Sequence, residues 1–276
     1  MEILRAKHAG VCYGVERALD MVSAASMDGD EDTFTLGPLI HNPQVVAKLE
    51  SRGVRAVDGP EQVDHGIVIL RTHGVEPHIA ADLKSRDLTV IDATCPHVAK
   101  AQRSAANLAD TCGTVLIIGR AEHPEIRSVR EYAGEKAIVV ADVDEVPEHL
   151  EEPVGVIVQT TESKEKLQAV VNELEARGVE TQVKNTICFA TRQRQDAAAA
   201  LADEVDAMVV IGGKNSSNTT HLYEICRDHC DRSYFVETKE ELDPSWFSAT
   251  DRVGVTAGAS TPDYQIEDVI SYLESL

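Results

Sequence analysis

The sequence predicts an α/β protein built on mainly parallel sheets, and three observations predict it. Short β-rich runs alternate with helical segments along the whole chain. Several runs, such as Val115-Leu116-Ile117-Ile118, are continuously apolar, as strands buried on both faces are. With 43% hydrophobic but only 4% aromatic residues, the core must come from Val, Ile, Leu and Ala. Apolar strands alternating with helices make βαβ units, and those units pair their strands in parallel.

In order along the chain, strands are expected at 2–6, 33–40, 66–72, 88–94, 114–119, 137–141, 155–160, 207–212, 233–238 and 252–257. Helix starts carry local signatures. Asn42-Pro43 opens a helix over 44–51, Cys95-Pro96 one over 97–109, and Ser260-Thr261-Pro262 one over 263–273; a further helix is expected over 223–230. Proline suits the first helical position because its missing N–H costs nothing there, and Asn or Ser before it can cap the free amides. Gly53, Gly113 and Gly178 are placed to end helices.

At 276 residues the chain is long enough for several small cores. The N-terminus enters a strand-like run at once and no stretch is apolar over the length of a bilayer span, which predicts a cytoplasmic protein without a signal peptide or membrane partner. A formal charge of −21 excludes the basic stripes that bind nucleic acid. The acidic runs Asp28-Gly29-Asp30-Glu31-Asp32 and Glu148-His149-Leu150-Glu151-Glu152 read as solvated loops or faces. Six cysteines at wide, irregular spacing do not make a disulfide framework, so cofactor ligation is open to them.

Cys12, Cys95 and Cys188 stand 83 and 93 residues apart, each roughly one third of the chain, as if three α/β units each contributed one thiol. All three precede expected helices, where the dipole favours the metal-binding thiolate. Three thiolates can hold three corners of a [4Fe–4S] cluster, but spacing alone does not choose between a cluster, a three-cysteine zinc site and unrelated thiols. Cys226 and Cys230, four apart, read as one inward helix face, and Cys112 as a helix-end core residue.

Polar residues concentrate where strands hand over to helices: His41-Asn42-Pro43, Thr72-His73-Gly74, His123-Pro124-Glu125, Gln159-Thr160-Thr161, Lys214-Asn215-Ser216-Ser217-Asn218 and Gly258-Ala259-Ser260-Thr261. In open parallel sheets ligands bind at those carboxyl-end crevices, and free helix amides there attract anions, diphosphate included. The imidazoles of His41, His73 and His123 can donate to phosphate oxygens. His8, His65, His78, His97, His149 and His229 read as surface or packing residues, and His221 is a weaker candidate. Glu125, at a helix start, is either a proton relay or a charge complementing the helix dipole. No Walker loop or Gly-x-Gly-x-x-Gly fingerprint is present, so no bound nucleotide is expected.

With Gly10-Val11-Cys12-Tyr13-Gly14-Val15, Ile40-His41-Asn42-Pro43, Thr72-His73-Gly74-Val75 and Asp92-Ala93-Thr94-Cys95-Pro96 added to the later junctions and Thr256-Ala257-Gly258-Ala259-Ser260, the chain resembles one family from Ile3 to about Ile270. That family is the LytB/IspH type of 4-hydroxy-3-methylbut-2-enyl diphosphate reductase. The resemblance implies three α/β domains around a central [4Fe–4S] cluster held by Cys12, Cys95 and Cys188 with an open fourth iron. The expected domains are 13–95, 96–190 and 191–276, with strand 1–12 joining the last. It also implies diphosphate contacts from His41, His73, His123, Ser216, Ser217, Asn218 and Ser260, with Thr160 and Glu125 near the substrate hydroxyl and Glu125 as proton source. The implied reaction takes two electrons and two protons, loses water, and yields isopentenyl and dimethylallyl diphosphates. The implied electron donor is a ferredoxin or flavodoxin. Val11, where the family often has Phe, and Thr191-Arg192-Gln193-Arg194-Gln195, where some members have Thr-Asn-Arg-Gln, depart from the pattern without removing a ligand. A colourless zinc hydrolase using the same thiols and a non-catalytic diphosphate-binding protein are the rival readings.

Overall fold

The computed structural model describes residues 1–27 and 31–276. Asp28, Gly29 and Asp30 of the first acidic run lie outside the described residues. β1 (Glu2–Arg5) leads from the N-terminus. β2 (Thr33–Leu36), β3 (Val54–Val57), β4 (Ile67–Leu70) and β5 (Thr89–Asp92) form a sheet in the order β3-β2-β4-β5. β6 (Thr114–Ile118), β7 (Ala137–Val140), β8 (Val154–Val158) and β9 (Thr181–Lys184) form a second in the order β7-β6-β8-β9. β10 (Ala207–Ile211), β11 (Ser233–Val236) and β12 (Arg252–Ala257) form a third, closed by the N-terminal strand in the order β11-β10-β12-β1. Every pairing is parallel.

The three sheets share one topology. Each runs second, first, third, fourth strand, and in the third sheet β1 takes the place of the fourth, with Glu2 opposite Arg252 and Arg5 opposite Val255. Each therefore has a switch point between its first and third strands, where a doubly wound sheet opens a crevice at the carboxyl ends.

Two compact units contain these sheets. Arg17–Ile40 with Val46–Cys188 carries the first two, and Met1–Glu16 with His41–Val45 and Phe189–Leu276 carries the third. The helices are α1 (Tyr13–Met27), α2 (Pro43–Glu50), α3 (Pro77–Ser85), α4 (Pro96–Thr111), α5 (Pro124–Ala133), α6 (Lys164–Ala176), α7 (Phe189–Ala202), α8 (Ser217–His229) and α9 (Asp263–Glu274). The second sheet shows why its strands are apolar throughout. Val115 and Ile117 pack into a cluster with α4 and α5, while Leu116 and Ile118 pack into another with α6. In the third sheet, α9 covers the face bearing Val209 and Val255, and α7 with α8 covers the face bearing Met208 and Val210. Burial on both faces is the setting that favours β-branched and aliphatic runs.

The structure corrects several expectations. β3 and β9 were not expected, because Val-Arg-Ala-Val and Thr-Gln-Val-Lys are four-residue edge strands, the first interrupted by Arg55 and the second largely polar and exposed. The strand expected over 33–40 stops at Leu36, since Gly37 turns the chain with φ 71°. Gly53 and Gly178 adopt the positive φ expected of helix ends, but Gly113 does not. It is glycine because an added Cβ would lie 2.6 Å from the Glu151 carbonyl oxygen. The helix expected over 223–230 begins at Ser217, and Ser260 does not cap α9, whose preceding residue is Pro262 with no side-chain cap.

Gly155 in β8 gives a direct check of this packing. A Cβ there would lie 2.9 Å from Leu108 Cβ on α4 and 3.2 Å from Sγ of Cys112, the residue after α4. Gly155→Val should therefore lower the stability measured by chemical denaturation by about 1–3 kcal/mol, the usual cost of overpacking a core.

Candidate functional site

The shared topology places the candidate residues at equivalent positions. Cys12 follows β1, Cys95 follows β5 and Cys188 follows β9, so each thiol lies just beyond the fourth strand of its sheet and directly before α1, α4 or α7. The backbone N–H of each donates to the carbonyl two residues past the third strand: Cys12 to Ala259 (3.1 Å), Cys95 to Thr72 (2.9 Å) and Cys188 to Thr160 (3.0 Å). All three cysteines stand outside any disulfide and are partly buried. Cys112, Cys226 and Cys230 are likewise not disulfide-bonded, but sit inside the apolar clusters. Burial pushes the Cys226 thiol up to about 12, so it stays protonated.

The first strands end as regularly. Gly37, Gly119 and Gly212 follow β2, β6 and β10, and four residues after each glycine stand His41, His123 and Ser216. α2, α5 and α8 begin one or two residues later. Side chains at these places face helix N-termini, where unpaired amides favour anions.

In the unit carrying the first two sheets, His123 caps α5, and its Nδ1 accepts the Glu125 backbone N–H at 3.2 Å. The neutral ring therefore keeps its proton on Nε2, which is a donor. His73 meets His123 edge to face, ring centroids 5.5 Å apart. The loop carrying His73 is pinned by buried bonds, since Ser128 Oγ donates to the Val75 carbonyl (2.9 Å) and Gln102 Nε2 donates to Ser128 Oγ (2.7 Å). Gly74 has φ 73°, and a Cβ there would lie 2.4 Å from Gln102 Nε2. Glu125 is 1% exposed. One carboxyl oxygen accepts the Thr160 N–H and the other lies 2.7 Å from Thr160 Oγ1. Burial raises its pKa to about 7, outweighing the two Thr160 bonds that lower it. A carboxyl group that is part protonated near neutrality and bonded to a hydroxyl is suited to deliver a proton.

In the unit carrying the third sheet, Ser216 Oγ caps α8 by accepting the Thr219 N–H. Asn218, on the first turn, is 5% exposed, and neither its Oδ1 nor its Nδ2 has a hydrogen-bond partner. A buried orphan amide is costly unless something else satisfies it, so it marks a ligand position. Ser217 is buried beside it. Ser260 Oγ donates to the His41 carbonyl at 3.0 Å, so to reach a phosphate it must rotate away from that bond. Gly213 lies against the same carbonyl, where an added Cβ would come within 2.6 Å.

Asn42 makes the expected helix cap and a further tie that the sequence did not suggest, and Arg194 was given no role from the sequence. Asn42 is saturated: Nδ2 donates to the Ser260 carbonyl and Gln265 Oε1, and Oδ1 accepts the Gln44 and Val45 amides. It ties the His41 turn to the Ser260 turn, and its place before Pro43 was the available signal. Arg194 buries its guanidinium on the Gly10 carbonyl (3.1 and 2.6 Å), bracing the loop that carries Cys12. Nothing local in the sequence announces that bond. Of the histidines read as surface residues, His65 pairs with Asp32 and Asp64, His78 with Glu131 and His229 with Asp203, all exposed. No helix among the described residues is long and apolar enough to cross a membrane.

The fold and these residues define a class: a three-sheet α/β protein with one topologically equivalent thiol per sheet, polar residues at helix starts where amides favour anions, and a buried acid. The chain belongs to the LytB family, whose LytB protein description matches residues 3–274. It is 46% identical to the 4-hydroxy-3-methylbut-2-enyl diphosphate reductase of Pelobacter propionicus, over 98% of this chain and 96% of that one. Identity to the protein of the same name from Geobacter sulfurreducens is 48%, over 99% and 97%. Among solved structures it is similar to an (E)-4-hydroxy-3-methyl-but-2-enyl diphosphate reductase described as the terminal enzyme of the non-mevalonate pathway, with TM-score 0.72, 41% identity and full coverage of both chains. It is also similar to the E-1-hydroxy-2-methyl-but-2-enyl-4-diphosphate reductase of Plasmodium falciparum, with TM-score 0.91 and 26% identity over 99% of this chain and 87% of that one. The resemblance drawn from the motifs holds over the whole chain.

Glu125 also predicts a pH signature. Its folded pKa of about 7 lies above the ordinary 4.5, so its contribution to stability is full below about 4.5 and is lost as pH rises through about 7. Glu125→Gln should abolish that loss. Thermal denaturation from pH 5 to 8 should show wild type falling relative to the variant.

Proposed function

We propose that this chain is an iron–sulfur 4-hydroxy-3-methylbut-2-enyl diphosphate reductase, forming isopentenyl and dimethylallyl diphosphates by reductive loss of the substrate hydroxyl. The observation that carries this reading is the set of equivalent thiols, each following a fourth strand and each anchored by the same backbone bond. Only Cys12, Cys95 and Cys188 occupy such places, and soft thiolates at partly buried helix starts suit an iron–sulfur cluster. Cys12, Cys95 and Cys188 would hold a [4Fe–4S] cluster, which would supply electrons and Lewis acidity for loss of the hydroxyl.

The chain's own groups do the rest. His41, His73, His123, Ser216, Ser217, Asn218 and Ser260 are proposed to hold the diphosphate, with the Asn218 amide finding there the partners it lacks within the protein. His123 donates from Nε2, because Nδ1 is committed to the Glu125 amide. Glu125 enters turnover protonated and passes its proton towards the substrate hydroxyl through, or beside, Thr160 Oγ1. An anionic diphosphate nearby favours that protonated form.

The deciding experiment is metal and sulfide analysis of anaerobically purified protein. Wild type should carry iron and labile sulfide, Cys95→Ser should lose or cripple that loading, and Cys226→Ala should keep it. Full iron and sulfide in Cys95→Ser would overturn the ligand assignment, and zinc without sulfide would overturn the reaction. At matched iron content Glu125→Gln should retain substrate binding but lose about 10²–10⁴-fold in dithionite-driven turnover, the usual worth of a general acid. Asn218→Ala should weaken diphosphate affinity about ten- to hundredfold, the loss of roughly 1.5–3 kcal/mol of charge-assisted bonding.

A further inference from the structure

We propose that the loop carrying Cys12 and the first turn of α7 form the landing surface for a small acidic electron-carrier protein. The inference rests on the reading of the chain as a reductase whose electrons arrive from outside. Tyr13 is 68% exposed and Phe189 59% exposed, the two most exposed large hydrophobic side chains among the described residues. They directly follow Cys12 and Cys188. Aromatic side chains are enriched at the cores of protein–protein interfaces, and two exposed rings next to the thiols can supply such a core. The residue after Cys95, Pro96, is exposed as well, so each thiol has a neighbour open to solvent. Among the polar residues at the other strand ends, His123, Ser216, Ser217, Asn218 and Ser260 are buried and His41 and His73 are partly buried. Substrate groups are thus enclosed, while a short path to the thiols opens to water.

The two segments belong to one unit and are joined. Arg194 Nη2 on α7 donates to the Gly10 carbonyl at 2.6 Å, and Gln193 Nε2 lies 3.5 Å from His8 Nε2. Their charge is opposite to that of the chain. In a protein with 47 acidic residues and net charge −21, residues 3–15 and 189–195 contain no Asp or Glu. Arg5 is committed to Asp263 and Glu267, and Arg194 is buried. Lys7 and Arg192 remain as exposed cations, with Arg192 stacked 5.8 Å from the Phe189 ring centroid. Glu2, Glu16 and Asp196, the nearest acids along the sequence, stand one residue beyond the two segments and are exposed. An acidic carrier is repelled by the bulk of this surface, so two segments without a carboxylate of their own, carrying Lys7, Arg192 and two exposed aromatic rings, with Asp263 and Glu267 paired to Arg5, are where it can settle.

The test uses anaerobic holoenzyme, two electron sources and the double variant Lys7→Glu/Arg192→Glu. Dithionite with methyl viologen needs no docking, and reduced bacterial flavodoxin is the acidic protein probe. Viologen-driven turnover should stay within about twofold of wild type, while KM for flavodoxin at low salt should rise about tenfold or more, as reversal of rim charges does. That difference should shrink as added salt screens the patch. Calorimetric binding of oxidised flavodoxin should weaken in parallel, a readout independent of turnover. Unchanged flavodoxin KM and binding, or equal losses with both electron sources, overturn the docking surface. So does a wild type that viologen drives but flavodoxin neither binds nor reduces. A wild type inert with viologen sinks the reaction instead, and the calorimetric titration still reads the docking surface.

Discussion

One backbone hydrogen bond, made three times, governs the placement of the three candidate thiols in this protein. Each thiol-bearing residue donates its N–H to the carbonyl two residues beyond the third strand of its sheet. The bond continues the ladder past the last paired residues, so the cysteine inherits the rigidity of a four-stranded sheet rather than the freedom of a loop. In the third sheet the donor strand comes from the N-terminus, and β1 must pair with β12 across nearly the whole chain before Cys12 has a place. Local propensity has little part in that pairing. What holds it is the gain from covering β12, whose Val253 and Val255 are fully buried.

The polar groups follow a different logic. At the strand ends the backbone turns into helices and leaves amides without helical partners. Some are capped from within: Asn42 serves Gln44 and Val45, Ser216 serves Thr219 and His123 serves Glu125. These caps also set what remains for a ligand. Capping commits His123 Nδ1 and leaves its Nε2 proton to donate, while Asn218 on the next helix has a buried amide with no protein partner. Enclosure then changes the chemistry of Glu125. The same burial that would be a liability in a structural carboxylate raises its pKa to about 7 and makes it a usable acid.

Charge is partitioned by purpose. Most of the surface is acidic, and the segments around Cys12 and Cys188 are not. A cluster with thiolate ligands and a diphosphate are both anionic, and each added carboxylate nearby would raise the free energy of holding them. Segments without carboxylates of their own thus suit the proposed cluster and diphosphate as well as the proposed carrier.

Much of this was written in the sequence. The apolar runs of β6, β8 and β10 announce doubly covered parallel strands, the Asn-Pro and Cys-Pro pairs announce helix starts, and the junction motifs locate every candidate ligand, because each depends on neighbours within a few residues. What the sequence did not carry depends on residues far apart. The edge strands β3 and β9 have too little apolar surface to be recognised alone and exist because a neighbouring strand offers them a ladder. Asn42 joining the Ser260 turn, Arg194 bracing Gly10, and the enclosure that lifts the Glu125 pKa are tertiary facts. Each is a hydrogen bond or a loss of solvent created between distant segments, and no local pattern encodes a partner 35, 184 or 218 positions away.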